Sequence, residues 1–247
     1  MKITLDEYIN NPMGTGSSVM ANKAMYSQMY KAKFDALLLK EAGSFKLAFA
    51  REKDKRFYIH FYIPSEDVPN FTYDVVFEFI PKDLSIESEP TLKNYNVKFY
   101  SNDPSFTFTH AHAFYKNDIL INNLKFKCSK KSLDLPAEYR NPNNDIGYVK
   151  SIYMAYLYYK LNHLDNKANW KELHTISTSQ LFNSVKHATS KYEEAQEKKK
   201  EARLMRKQEN SERGIGSNTT KSVSRVKRTS TVKNSGRVRR VKTVKRI

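Results

Sequence analysis

A single cysteine, Cys128, stands among 247 residues. That excludes an internal disulfide and fits a compartment where thiols stay reduced, or a particle assembled in cytoplasm. No stretch reaches the roughly eighteen apolar residues a membrane span needs, and the opening Met1-Lys-Ile-Thr-Leu-Asp-Glu7 has no apolar run of signal-peptide length. The expectation is a soluble chain with no membrane partner. Glycine is scarce, at 7 residues, whereas aromatics make up 13% and apolar residues 39%, enough to bury a sizeable core.

Charge is abundant but unevenly placed. The formal net charge is +17, yet from Gly214 onward there are eleven Lys and Arg and no Asp or Glu. The 183 residues at the start carry a net of only +3. Localised positive charge points to nucleic acid, an anionic surface or an acidic partner; the nearly balanced remainder points to one globular core.

Residues 1–18 read as an irregular docking segment, because Pro12, Gly14 and Gly16 discourage regular structure and Ser17 or Ser18 can cap a helix beginning after them. The spacing of Tyr26, Tyr30, Phe34, Leu37 and Leu38 predicts that helix to about Glu41, with Gly43 as its stop. The period then changes to two. Phe57, Ile59, Phe61 and Ile63 alternate with Tyr58, His60 and Tyr62, and Phe71, Tyr73, Val75, Phe77 and Phe79 alternate with Thr72, Asp74 and Glu78. With further strands expected at 45–50, 95–101, 105–114 and 119–127, the fold class is α+β. The expected architecture is a six-stranded antiparallel β-barrel or sandwich flanked by N- and C-terminal helices.

After a polar linker over 130–144, Asp145 is placed to cap a helix whose run Ile152 to Tyr159 is apolar or aromatic nearly all round, and so is buried on more than one side. The globular domain is thus expected over 19–177. A long helix should follow over 178–213, highly charged from Lys191 and ended by Gly214 and Gly216.

Residues 214–247 form a basic arm expected to be disordered or extended. Its cations are Lys221, Arg225, Lys227, Arg228, Lys233, Arg237, Arg239, Arg240, Lys242, Lys245 and Arg246. Val223, Val226, Val232, Val238, Val241, Val244 and Ile247 fall on a strict three-residue lattice, with Thr229 and Ser235 at its two other points. A period of three fits neither an α-helix nor a strand; polyproline II geometry would put the β-branched residues on one edge and the cations on the other two. One reading is an apolar edge laid in a neighbour's groove while the cations meet nucleic acid. The other is a low-complexity tail, disordered when alone. Having no aromatics to stack on bases, the arm suits a sequence-independent backbone contact.

Other candidate chemistry is thin. His110 and His112 would share one face of the expected strand and could chelate a metal, with His60 as a third ligand; Phe106, Phe108 and Phe114 on that face favour packing instead. Gly14-Thr-Gly-Ser-Ser18 superficially resembles a phosphate loop but lacks the Walker lysine and a preceding strand. Cys128 lies beside Lys127, Lys130 and Lys131, yet no base accompanies it. Asp74 and Glu78 read as a solvated strand face, and Tyr153 to Tyr159 as core or interface. No active site assembles, so neither enzyme activity nor a cofactor is expected.

Two segments, Asp6-Glu-Tyr-Ile-Asn-Asn-Pro-Met-Gly-Thr-Gly-Ser-Ser18 and Phe99-Tyr-Ser-Asn-Asp-Pro-Ser-Phe-Thr-Phe108, resemble virion-associated proteins of small tailed bacteriophages. The resemblance implies a non-enzymatic virion structural protein, assembled in the host cytoplasm, with the head-tail connector or neck adaptor as its expected place. It would be a homo-oligomer touching other virion proteins, its terminal arms lacing to neighbouring subunits or packaged DNA. The alternative is a cytoplasmic, sequence-nonspecific nucleic-acid-binding protein that uses the arm.

Overall fold

In a computed structural model, residues 2–10, 23–52, 54–83, 94–137, 141, 143–166, 169–170, 173–187 and 204–205 are described, the side chains of 23–25 excepted. Residues 1–202 make one unit and 203–247 another. Of the second, Leu204 and Met205 are described; both are helical and exposed.

The two alternating runs become neighbouring antiparallel strands. β1 (Lys46–Arg51), β2 (Phe57–Pro64), β3 (Thr72–Pro81) and β4 (Tyr95–Ser101) form a four-stranded sheet in the order β1-β2-β3-β4. Ile59 lies opposite Phe77, and Phe77 opposite Phe99, so one face is almost wholly aromatic and aliphatic. Phe57 stacks on Phe79 at 4.6 Å and meets Trp170 at 4.5 Å.

Helices close on this face or its rim. The helix α1 (Leu5–Asn10) begins with a reciprocal cap: Thr4 Oγ1 accepts from Glu7 N (3.1 Å), while Thr4 N donates to Glu7 Oε2 (2.7 Å). It buries Leu5, Tyr8 and Ile9, with Tyr8 4.6 Å from Phe99. Residues 2–10 are therefore part of the folded unit, with Ile3, Leu5, Tyr8 and Ile9 in its core, which corrects the irregular docking segment expected over 1–18; residues 11–22 in and after that segment lie outside those described. The second helix, α2 (Lys23–Glu41), buries Tyr30, Phe34 and Leu37 as the spacing predicts. It ends in a tight turn, Ala42–Ser44, that contains Gly43. Next in space is α5 (Lys150–Leu161), whose buried Ile152, Tyr153, Met154 and Tyr159 confirm burial on more than one side. Its amino-terminal cap position is Val149; Asp145, expected to cap it, is itself buried four residues upstream. Lys33 on α2 and Lys150 on α5 converge on Glu66 Oε2 at 3.0 and 2.9 Å.

Two expected strands are helical instead. Residues Phe106–His110 form a π-turn that runs into α3 (Ala111–Lys116), and Asn122–Lys127 form a 3₁₀ turn followed by α4 (Lys130–Asp134). The start signal is Asp103-Pro104: Asp103 Oδ1 accepts from Ser105 N at 2.9 Å, and proline suits a first helical position. Phe106, His110 and Phe114, spaced by four, are buried, whereas Phe108 is exposed. Neither barrel nor sandwich is needed to close the edges of this sheet. The β1 edge is bridged at Thr175, and the β4 edge at Leu120 and through Val97 N to Ile3 O, which blunts both against further pairing.

The opposite face of the sheet is covered by α6 (Thr178–Ser184) and residues 185–187. A capping box between Ser177 and Gln180 starts α6. The helix ends at Ser184, and 185–187 leave helical geometry, so the single long helix expected over 178–213 is interrupted at its start. Its charged remainder, apart from 204–205, lies outside the described residues.

Candidate functional site

The covered face of the sheet holds carboxylates the sequence placed in water. Asp74 and Glu78, expected on a solvated face, are buried. Asp74 Oδ1 accepts from His60 Nε2 at 3.1 Å, and its Oδ2 accepts from Asn102 Nδ2 at 2.8 Å and from the backbone N–H of Lys186 at 3.1 Å. Three donors compensate one buried carboxylate, as burial of charge demands. Four residues along β3, Glu78 accepts from Tyr58 Oη at 3.0 Å and Arg56 Nη1 at 3.1 Å. Burial raises the Glu78 carboxyl above its ordinary range, against the pull of Tyr58 and Arg56.

Ser184, His60 and Asp74 stand in the order of a nucleophile, base and orienting acid. The geometry locks rather than activates. Ser184 Oγ donates its one proton to Leu181 O at 2.7 Å and is 3.5 Å from His60 Nδ1, while the ring is fully buried. A nucleophile passes its proton to the base; here a carbonyl holds it.

The histidine pair is rearranged by the helical geometry. Two residues apart on a helical segment, His110 and His112 do not share the face a strand would have given them. His110 is buried, with Nδ1 unpartnered among the described residues. Burial pushes its imidazole down to about 4, against a hydrogen bond to the Asp145 backbone. His112 Nδ1 donates to Leu133 O at 2.6 Å, and His60 is engaged with Asp74 in the sheet. Among the described residues no three His, Cys, Asp or Glu side chains gather as a metal ion requires. Cys128 is buried and its thiol pushed up to about 12 by desolvation, so the neighbouring lysines do not activate it. Tyr153 and Tyr159 are packed into the core, and Tyr153 contacts Tyr30 and Tyr148.

An open concavity lies in the region where helices replaced strands. This cleft of about 240 Å³ sits between the π-turn and α4, its lining including Thr107, Phe108, His112, Ser129, Lys131 and Ser132. The bond from His112 to Leu133 O ties α3 to α4. Ser129 caps α4 by accepting from Ser132 N at 3.1 Å. Phe108 and Leu135 are 53% and 56% exposed, and Thr107 Oγ1 is buried without a partner among the described residues. A π-turn of this kind is frequent at functional sites.

No protein-family model matches the chain, and no curated protein or solved structure matches it.

The cleft is not apparent in the sequence, because its donors come from Thr107, Ser129, Lys131 and Ser132, which share no local pattern. Asp103-Pro104 as a helix start was the available signal, since it turns 105–116 from strand to helix. All eleven arm cations and the seven lattice residues from Val223 to Ile247 lie outside the described residues, as does Gly14-Thr-Gly-Ser-Ser18. No helix among the described residues is long and apolar enough to cross a membrane.

Proposed function

We propose that this chain is a non-enzymatic structural protein of a tailed-phage virion, placed at the head-tail connector or neck, where it assembles with itself and with other virion proteins. The observation that carries the reading is the segregation of charge: a nearly balanced folded portion followed by an arm of eleven cations, no acids and a three-residue apolar lattice. An arm with both features can lie along a neighbouring subunit by its β-branched edge and against packaged DNA by its cations. The folded unit supports this reading, because its buried His60, Asp74 and Glu78 are spent on internal hydrogen bonds. A nonspecific nucleic-acid-binding protein acting in the cytoplasm is the second reading, favoured by the same cations taken without the lattice.

Native mass measurement of the full chain and of a chain ending at Glu212, with incorporation of each into particles, separates the two. Under the virion reading, removing 213–247 lowers the oligomeric state or abolishes incorporation. Under the second, oligomeric state is unchanged and affinity for DNA falls steeply, along with its dependence on salt.

A further inference from the structure

The arm has no aromatic side chain, but the folded unit carries exposed aromatics among lysines. Between Ser105 and Ala137 there are five lysines, Lys116, Lys125, Lys127, Lys130 and Lys131, and two acids, Asp118 and Asp134. Asp118 is already paired with Lys98. Phe108, Tyr115 and Phe126 are exposed, and Lys127 Nζ lies 5.1 Å from the Phe126 ring centre. Lys116, Lys125, Lys130 and Lys131 are exposed as well. The combination of π-faces and cations is what single-stranded nucleic acid requires, since unpaired bases stack on aromatics while lysines follow the phosphates.

The cleft makes this surface a site. Phe108 presents a half-exposed ring at its wall and Lys131 a cation, beside the Ser129 and Ser132 hydroxyls, which are bonded to each other at 2.5 Å, while Thr107 and Thr109 at the wall are buried. Among the described residues, no carboxylate lines it. Because Leu133 O can only accept, His112 Nδ1 is the donor in their 2.6 Å bond, which fixes the ring. Among the described residues Thr107 Oγ1 has no partner, although a buried hydroxyl ordinarily has one. At about 240 Å³ the cleft is smaller than the ~300–1,000 Å³ typical of small-molecule sites. It has room for one unit of a longer ligand.

We infer that this cleft receives one nucleotide of a single-stranded nucleic acid, with the base against Phe108 and the phosphate at Lys131 and the serine hydroxyls. The strand continues over the neighbouring lysines. This contact is independent of the arm and does not rest on the virion reading.

The test uses the full chain and oligo(dT) carrying 5-iodouracil. Photocrosslinks are expected within 105–137. At salt high enough to suppress the arm, Phe108→Ala and Lys131→Gln should each weaken oligo(dT) binding about fivefold or more, within the range of a lost stacking or phosphate contact. Binding to a duplex of equal length should be unchanged. Both side chains are exposed, so neither variant threatens the fold; near-unchanged thermal unfolding checks this. Crosslinks confined to 214–247, or equal losses for duplex and single strand, would overturn the inference. So would Phe108→Ala lowering self-association while leaving oligo(dT) affinity intact, which would assign the surface to a protein contact. Displacement of the strand by dTMP at comparable affinity would make this a mononucleotide pocket and overturn the strand assignment.

Discussion

Tyr8 and Tyr148 tie the start of the chain to the entry of α5 by bonds running in both directions. Tyr8 Oη donates to Gly147 O at 3.2 Å, and Tyr148 Oη donates to Ile9 O at 2.6 Å. Tyr8 Oη also accepts from Val149 N at 3.4 Å. Desolvation holds the Tyr8 phenol far above its ordinary range, so the hydroxyl stays protonated and able to donate. Tyr8→Phe keeps the ring but strands the Gly147 carbonyl and the Val149 N–H in the core. Unsatisfied buried groups cost about 1–3 kcal/mol. Denaturant unfolding should show a lower midpoint with an unchanged slope, while Tyr115→Phe at an exposed site should move it by less than about 0.5 kcal/mol. An unchanged midpoint in Tyr8→Phe would refute the structural role of α1.

That role is partly legible in the sequence, in the capping box Thr4-Leu-Asp-Glu7, although Pro12, Gly14 and Gly16 farther along the same stretch signal irregular structure. The strands β2 and β3 were plain because period two leaves no alternative over Phe57–Ile63 and Phe71–Phe79. Over Phe106–Phe114, in contrast, a spacing of four satisfies strand and helix alike, and Asp103-Pro104 decides for the helix. Burial of Asp74 was not legible, because its cover arrives with Lys186, 112 residues later. Alternation distinguishes two faces of a strand, but only tertiary structure says whether the second meets water. The cleft was hidden for a similar reason, since the bond joining its walls spans 21 residues, from His112 to Leu133.

His110 gives the protein a predictable response to acid. Its folded value of about 4 lies below the ordinary 6.5, so as pH falls through that window the unfolded chain binds a proton the folded one refuses. Stability from this group is therefore full above about pH 6.5 and lost progressively toward pH 4, by about 3 kcal/mol in order of magnitude. Glu78 and Asp103, both raised by burial, act in the opposite sense in the acid range. NMR titration isolates the histidine: the His110 ring should remain neutral at pH 5 in the native state. A midpoint near 6.5 would contradict its burial.

Cys128 should be silent toward thiol reagents while the protein is folded. The thiolate is the reactive form, and burial pushes this thiol up to about 12. At neutral pH its modification by a disulfide reagent should track the opening of the fold, accelerating with denaturant in step with unfolding. Rapid modification in native buffer, at the rate of a free thiol, would show that the surrounding residues are not closed over it.

Lys186 offers the sharpest test of how the second face of the sheet is sealed. Its backbone N–H donates to Asp74 Oδ2 at 3.1 Å and its carbonyl accepts from Tyr100 Oη at 3.2 Å, whereas the residue is exposed. Backbone and side chain therefore separate cleanly. Lys186→Ala keeps both bonds and should change stability by no more than about 0.5 kcal/mol. Lys186→Pro removes the N–H and leaves Asp74 short of one donor inside the protein, at a cost of about 1–3 kcal/mol. The same loss should loosen 181–187 over the sheet, so amide exchange should quicken at residues 60 and 76 in the central strands beneath it, relative to Lys186→Ala. Equal stabilities for the two variants would mean that α6 and the residues after it are held by packing on Tyr58 and by the Tyr100 bond to the Lys186 carbonyl, with Asp74 satisfied by His60 and Asn102.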